Sequence, residues 1–190
     1  MLKRLLALIK TYATVPIIVA LFVGAVSVTG FNAALSYTNT ESFCISCHEM
    51  EVNAFAEYED TIHDSNRSGV CATCPDCHVP KEFWAKMWRK TRASMELVGK
   101  ITGKLDTPEK YDEHRYEMAL KVWQRMKDTD SRECRNCHNE AKMNPEKQTP
   151  EAIDRHAKGV EEGKTCIDCH FAIAHYEPDG ELAPEDLKPQ

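Results

Sequence analysis

The pentapeptide C-x-x-C-H recurs four times in this chain, and no other feature constrains the fold as strongly. It occurs as CISCH, CPDCH, CRNCH and CIDCH. This is the attachment signature of c-type haem, in which two thiols form thioethers with the vinyl groups and the adjacent imidazole can ligate the iron. The sequence therefore predicts four covalent haem c groups on eight cysteines: Cys44, Cys47, Cys74, Cys77, Cys134, Cys137, Cys166 and Cys169.

The chain has nine cysteines, so one is left over. In CATCPDCH, Cys71 and Cys74 form a C-x-x-C that Pro75 follows, whereas the pair Cys74 and Cys77 is followed by His78. Cys71 is therefore the unpaired one. Zinc sites and disulfides also use such pairs, but zinc does not require a His after each pair, and short vicinal pairs make poor disulfide staples.

Each haem iron takes two axial ligands, and each motif supplies one His at most. The motif histidines are His48, His78, His138 and His170, and four more lie outside the motifs: His63, His114, His156 and His175. Met50, two residues after His48 in CISCHEM, is an alternative ligand for the first iron. Because four irons need ligands, we expect the extra histidines to ligate iron rather than to be ordinary solvated side chains.

The N-terminal region predicts a membrane anchor. No charged residue occurs between Thr11 and Thr40, and the apolar stretch within it is long enough to span a bilayer. Basic residues precede it, namely Lys3, Arg4 and Lys10. The positive-inside rule then predicts a single-pass protein of the bacterial inner membrane, with a cytoplasmic N-terminus and a periplasmic haem domain. A cleaved signal peptide is the alternative.

The rest of the chain is too poor in apolar residues for an ordinary core, so the haems must supply the missing apolar surface. Without strand-like alternation, we expect a mainly α fold with much irregular chain. The predicted organisation is a stub and anchor at 1–38, a tetrahaem domain at 39–178 and an extended acidic tail at 179–190.

Two helices are predicted in the haem domain. Residues 81–104 place Phe83 and Met87, and likewise Trp84 and Trp88, at i,i+4 spacing. A second helix is predicted to start at Pro108 and to run to about Lys127. Thr107 is its expected cap.

These motifs together resemble the NapC/NirT family of membrane-anchored tetrahaem quinol dehydrogenases. The resemblance rests on the single anchor, the C-x-x-C-H-x-M first site and the stretches CPDCHVP, ECRNCHN and TCIDCH. It extends from the anchor to about His175 and is closest to the NapC branch of periplasmic nitrate reduction. It implies oxidation of menaquinol or ubiquinol at the periplasmic face and electron transfer to a periplasmic reductase or its cytochrome subunit, with nitrate reductase as the favoured acceptor.

The resemblance also implies ligands. Met50 would replace His48 on the first haem and leave the other side of that iron facing the quinol. The later haems would be bis-histidine, with His63, His156 and His175 as distal ligands in an order left open, and His114 would be structural. The chain departs from the pattern at Lys81, where many relatives have His, so the role of that position stays open.

Residues 81–104 are also the candidate quinol site. They carry seven basic and two acidic residues, a local charge of +5 in a chain of net charge −6. Basic residues together with Phe83, Trp84, Met87 and Trp88 are the composition of a helix in the membrane interface. By resemblance, Lys90 and Glu96 contact quinol. Arg89 is a further candidate, because it is better in phase with Glu96 on a helix. A solvated basic face that binds anionic lipid is the alternative.

A second function class stays open: a passive haem wire or docking module for another membrane electron donor, or a donor to a nitrite or other terminal reductase. No terminal reductase activity and no nucleic-acid partner are expected. The sequence leaves open the quinol, the acceptor and whether the chain forms a homo-oligomer.

Overall fold

The computed structural model describes residues 2–189, with side chains at Tyr12 and from Thr14 onward. The helices are α1 Leu2–Tyr37, α2 Glu41–Cys44, α3 Ala56–Tyr58, α4 Cys74–His78, α5 Phe83–Ile101, α6 Pro108–Asp128, α7 Arg132–Arg135 and α8 Pro150–Glu161. A π-helical turn at Met50–Phe55 runs directly into α3, and short 3₁₀ turns occur at Glu140–Lys142, Pro145–Lys147, Cys166–Asp168 and Pro184–Asp186. No β-strand occurs within 2–189, which confirms the mainly α fold with much irregular chain.

The first helix contains the expected membrane span. Its segment Thr14–Tyr37 has 24 residues and a mean hydropathy of 2.1 over its most apolar window. At about 1.5 Å per residue it is roughly 36 Å long, slightly more than the roughly 30 Å of a bilayer's hydrocarbon core. The basic side chains on which the predicted orientation depends lie outside the described side chains: Lys3, Arg4 and Lys10.

The two helices predicted in the haem domain are confirmed with small shifts at their ends. Helix α5 stops before Gly103, whose φ of +67° is a left-handed conformation that favours glycine. Helix α6 begins at Pro108, and Oγ1 of Thr107 accepts a hydrogen bond from the N–H of Lys110 at 3.4 Å.

The apolar core is small. Trp123 and Met126 of α6 pack with Ile167, and a few half-buried side chains complete the cluster: Tyr116, Ala119, Leu120, Val122, Phe171 and Leu187. Elsewhere in the described chain the buried apolar residues are few and scattered: Ala54, Tyr58, Pro80 and Pro184. A domain of this length normally buries more apolar surface, so the protein part alone is an incomplete core.

The acidic C-terminal segment has little regular structure, but it packs against α6. The ammonium of Lys127 donates to the carboxylate of Asp168 at 2.6 Å and to the carbonyl of Pro184 at 3.0 Å. Pro184 is fully buried, and the amide of Gln124 donates to the carbonyl of Lys188 at 2.8 Å. These contacts attach the segment to the haem domain, a packing that the sequence pattern did not predict.

Candidate haem centres and quinol site

Each C-x-x-C-H motif adopts a tight local turn. In the second and fourth motifs the residue before the first Cys is Thr, and an Asp lies between the cysteines. The N–H of Thr73 donates to the Asp76 carboxylate at 2.9 Å, and the N–H of Thr165 donates to Asp168 at 2.7 Å. This shared T-C-x-D-C-H pattern therefore fixes the turn before any haem contact, and it was visible in the sequence.

The four motifs adjoin one another in chain order. The thiol of Cys74 donates a hydrogen bond to Cys44, which is the main reason that the pKa of Cys44 is lowered to about 7. In the same way, a hydrogen bond from Cys134 is the main reason that the pKa of Cys166 is lowered to about 6. These contacts place the first motif against the second and the third against the fourth. The second and third motifs meet where α4 packs on α7. The attachment sites therefore form a continuous series rather than isolated centres.

Three motif histidines face a histidine from elsewhere in the chain. The ring centroids are 6.1 Å apart for His78 and His175, and 6.2 Å apart for His138 and His63. They are 6.1 Å apart for His170 and His156. The structure thus brings together three of the four histidines outside the motifs with one motif His each, in an order that the sequence left open.

These distances fit two imidazoles on opposite sides of one iron. A ligating nitrogen lies about 2 Å from a bound metal, and the ring centre is about 1.1 Å further back, so trans rings have centres roughly 6 Å apart. In addition, Nδ1 of His63 and Nδ1 of His175 are buried without a hydrogen-bond partner. The donor set and its spacing therefore fit haem at three of the four motifs.

The surroundings of these rings keep them neutral or orient them. Burial, together with the positive charge of Arg125, lowers the pKa of His78 to about 3, and burial also lowers the pKa of His175. Nδ1 of His156 is 2.9 Å from Oε1 of Gln148. A neutral imidazole is the form that binds a metal, and a partner on one nitrogen orients the other toward the ligand position.

The first motif is built differently. Nε2 of His48 lies 3.2 Å from Oε1 of Glu49, and the side chain of His48 is 61% exposed. The chain then enters the π-helical turn, where the N–H groups of Met50 and Glu51 both donate to the carbonyl of Cys47, at 2.9 and 3.1 Å. Lys100 of α5 donates to the same Glu49 carboxylate at 2.8 Å. Sequence reasoning missed Glu49 and Lys100, because no local pattern connects them.

The remaining sequence candidates lie apart from the ring pairs. Nδ1 of His114 is 2.9 Å from the carbonyl of Lys110 in its own helix, which fits a structural role. Cys71 is exposed, and it is Cys74 that contacts Cys44. Lys81 is exposed at the start of the segment that leads into α5.

Helix α5 is attached to the end of the membrane helix and lies beside the first motif. The ammonium of Lys90 donates to the carbonyl and to Oγ1 of Thr38, at 2.9 and 2.7 Å, and burial lowers the pKa of Lys90. The charges of Lys90 and Arg89 both lower the pKa of the Cys44 thiol. The Lys90–Thr38 contact holds α5 against the end of α1, and the Lys100–Glu49 contact holds it beside the first motif.

The three candidate quinol residues of α5 do not contact one another as a single group. Nη1 of Arg89 is 2.9 Å from Oε1 of Glu96, which confirms that these two residues share a helix face. Lys90 contacts Thr38 instead. The apolar side chains of α5 point outward: Trp84 is 81% exposed and Ile101 is 85% exposed. A helix that turns its apolar side away from its own protein has the arrangement of an interfacial helix.

Comparison with known proteins agrees with this architecture. Residues 8–180 match the model of the NapC/NirT cytochrome c family, N-terminal region. The chain is 56% identical over 150 residues to the cytochrome c-type protein NapC of Escherichia coli K12, which covers 79% of this chain and 75% of the relative.

Two further relatives extend the comparison. The denitrification system component NirT of Stutzerimonas stutzeri is 52% identical over 170 residues, with 90% of this chain and 84% of the relative covered. A putative tetraheme cytochrome-c type protein of Allochromatium vinosum is 44% identical over 155 residues, covering 82% and 84%. No solved structure matches the chain.

Proposed function

Because the chain belongs to the NapC/NirT cytochrome c family, an electron-transfer family with covalently bound haem c, we propose that it oxidises membrane quinol and passes the electrons to a periplasmic reductase. The single observation that supports this best is the position of α5. Lys90 ties it to the end of the membrane helix, its apolar side faces outward, and its charges adjoin the first attachment site.

We assign the ligands from the ring pairs and the first motif. The second haem takes His78 and His175, the third takes His138 and His63, and the fourth takes His170 and His156. The cysteines that we assign to the thioether bonds are Cys44, Cys47, Cys74, Cys77, Cys134, Cys137, Cys166 and Cys169. For the first haem we assign Met50, because the carboxylate of Glu49 already holds Nε2 of His48.

The chain order of the motifs then gives the direction of transfer. When bound, the four haems supply one-electron redox chemistry. The first motif lies beside α5, and the contacts between cysteines and between α4 and α7 join it to the second, third and fourth motifs. Electrons enter at the membrane end and leave at the fourth motif, whose His170 and His156 are both exposed.

Oxidation of one quinol to quinone releases two electrons and two protons. The carboxylate of Glu96 is our candidate for the proton acceptor, and Arg89 holds that carboxylate in place at 2.9 Å. Lys90 is our candidate donor to a quinol oxygen, which it would reach by exchanging its contact with Thr38. Glu96 is 67% exposed, so the proton can pass on to the periplasmic solvent.

For the acceptor we favour a periplasmic nitrate reductase or its cytochrome subunit. This choice follows the similarity to NapC proteins, and a nitrite or other terminal reductase is the alternative, since the NirT relative is a denitrification component. The apolar helix and the family fit an inner-membrane anchor, and we propose the orientation with the haem domain in the periplasm.

The alternative function is a passive haem wire or docking module that another membrane protein reduces. The test is to add menaquinol or ubiquinol to the purified full-length protein and to follow haem reduction. Reduction by one of the quinols without any other protein supports quinol oxidation. Reduction by dithionite together with no reduction by either quinol would leave the wire as the function.

A further inference from the structure

Glu49 lies in sequence between the two alternative ligands of the first iron, and its carboxylate pairs with His48. Its Oε1 is 3.2 Å from Nε2 of His48, its Oε2 accepts from Lys100 at 2.8 Å, and the residue is only 8% exposed. We propose that Glu49 and Lys100 are positioning residues that hold His48 away from the first iron, so that Met50 is the ligand. The proposal rests on the ligand assignment made above, and not on the quinol chemistry.

The geometry opposes ligation by His48. A ligating imidazole must turn one nitrogen to the metal, and Nε2 is the ring nitrogen that reaches furthest from the backbone. Here Nε2 points at a carboxylate that is nearly buried. Releasing it would leave a buried carboxylate with one fewer partner, which costs free energy.

Lys100 holds the carboxylate from the other side. It lies in the last turn of α5, and the opposite half of that helix is tied to Thr38 through Lys90. Glu49 therefore cannot follow His48 toward another position without breaking its contact with a fixed helix. The Glu49–Lys100 ion pair therefore connects the choice of ligand at the first motif to α5, the helix that carries the proposed quinol residues.

The backbone conformation after His48 differs from that in the other motifs and begins a π-helical turn at Met50. The N–H groups of Met50 and Glu51 both donate to the carbonyl of Cys47, at the start of the π-helical turn Met50–Phe55. Such turns are rare, and they are frequent at functional sites. In the third and fourth motifs, by contrast, the N–H of the His donates to the first Cys at 2.9 and 2.8 Å, and the imidazole faces a second His.

The choice of ligand has a measurable consequence, because Met ligation raises the reduction potential of a haem relative to His ligation. Removing Glu49 has two opposite effects on the first haem. The loss of a negative charge alone would raise its potential. Exchange of Met50 for a released His48 would lower it, so the sign of the shift separates the two explanations.

The experiment uses the full-length protein with its haems attached. With Met50 on one side and the other side open to quinol, the first haem would be five-coordinate, so its ligand is read in the reduced protein by resonance Raman spectroscopy. A five-coordinate haem held by His shows an iron–histidine stretch, and one held by Met does not, so the unmodified protein should show no such stretch. Glu49→Leu should create the stretch and lower the potential of one haem in a redox titration. Lys100→Met should create part of the stretch, while the matched control Lys104→Met, which removes a charge that pairs with Glu117 instead, should create none.

The double variant Glu49→Leu/His48→Ala should lose the iron–histidine stretch again, because the released competitor is then absent. Absence of the stretch from Glu49→Leu, or a raised potential, would overturn the proposal and leave the ligand assignment intact. Presence of the stretch in the unmodified protein would overturn both. If Glu49→Leu attaches fewer haems, Lys100→Met decides: absence of the stretch there counts against the proposed role of Glu49 and Lys100.

Discussion

Replacement of Glu96 by Gln tests the proposed proton acceptor with little effect on the fold. Glu96 is 67% exposed and pairs with Arg89 at 2.9 Å. An ion pair this exposed contributes about 0–1 kcal/mol to stability. Loss of a general base, by contrast, slows a reaction by about 10² to 10⁴, which is roughly 3–5 kcal/mol in the barrier. The expected loss of rate therefore far exceeds any loss of stability.

The assay is stopped-flow reduction of the haems by quinol. Glu96→Gln should keep quinol binding and lose rate by the factor above, whereas Lys90→Met should weaken binding, because it removes a donor. Dithionite, which does not need the site, should reduce both variants at the wild-type rate. Glu82→Gln is the matched control, since Glu82 is also exposed and lies 3.5 Å from an arginine, Arg132.

A wild-type rate of quinol oxidation in Glu96→Gln would refute the assignment. If Glu82→Gln is the slow variant instead, the acceptor is Glu82. If neither variant is slow, quinol is still oxidised and a group other than these two carboxylates accepts the proton.

Three further predictions concern the haems and the fold. Single replacement of a distal ligand by Ala should convert one of the three bis-histidine haems from low-spin to high-spin in paramagnetic resonance spectra, and the same change at His114 should not; the ligands in question are His63, His156 and His175. Cys71→Ser should retain four covalent haems in the pyridine haemochrome assay, because Cys71 is exposed and outside the motifs; loss of one would contradict the pairing. Lys127→Met should destabilise the domain by about 3–5 kcal/mol in denaturant unfolding, because it leaves the buried carboxylate of Asp168 unpaired. Lys121→Met, which breaks an exposed pair, is its control and should change stability by less than about 1 kcal/mol.

Several features of this protein could be predicted from short stretches of its sequence. The four motifs predicted the attachment cysteines, because two thioethers to one haem need two closely spaced thiols, and the His that follows each pair completes the c-type haem signature. The membrane span followed from length and hydropathy, and the start of α6 followed from Thr107 and Pro108, whose capping roles are local. Each of these features depends on residues that are close in sequence.

Only the tertiary structure decided which histidines meet. His175 is nearest in sequence to His170, yet its ring faces His78, and His170 faces His156. Which two rings meet depends on how distant segments of the chain pack together, and the spacing of the histidines in the sequence does not predict that packing.

The same reason explains the contacts that sequence reasoning missed. Lys90 meets Thr38, Lys100 meets Glu49, and the C-terminal segment packs on α6 through Lys127. Each contact joins residues more than 50 positions apart. The sequence by itself predicted that the chain holds haem c and at which cysteines it attaches. The tertiary structure decided which side chains share each centre, because those centres form between segments that only folding brings together.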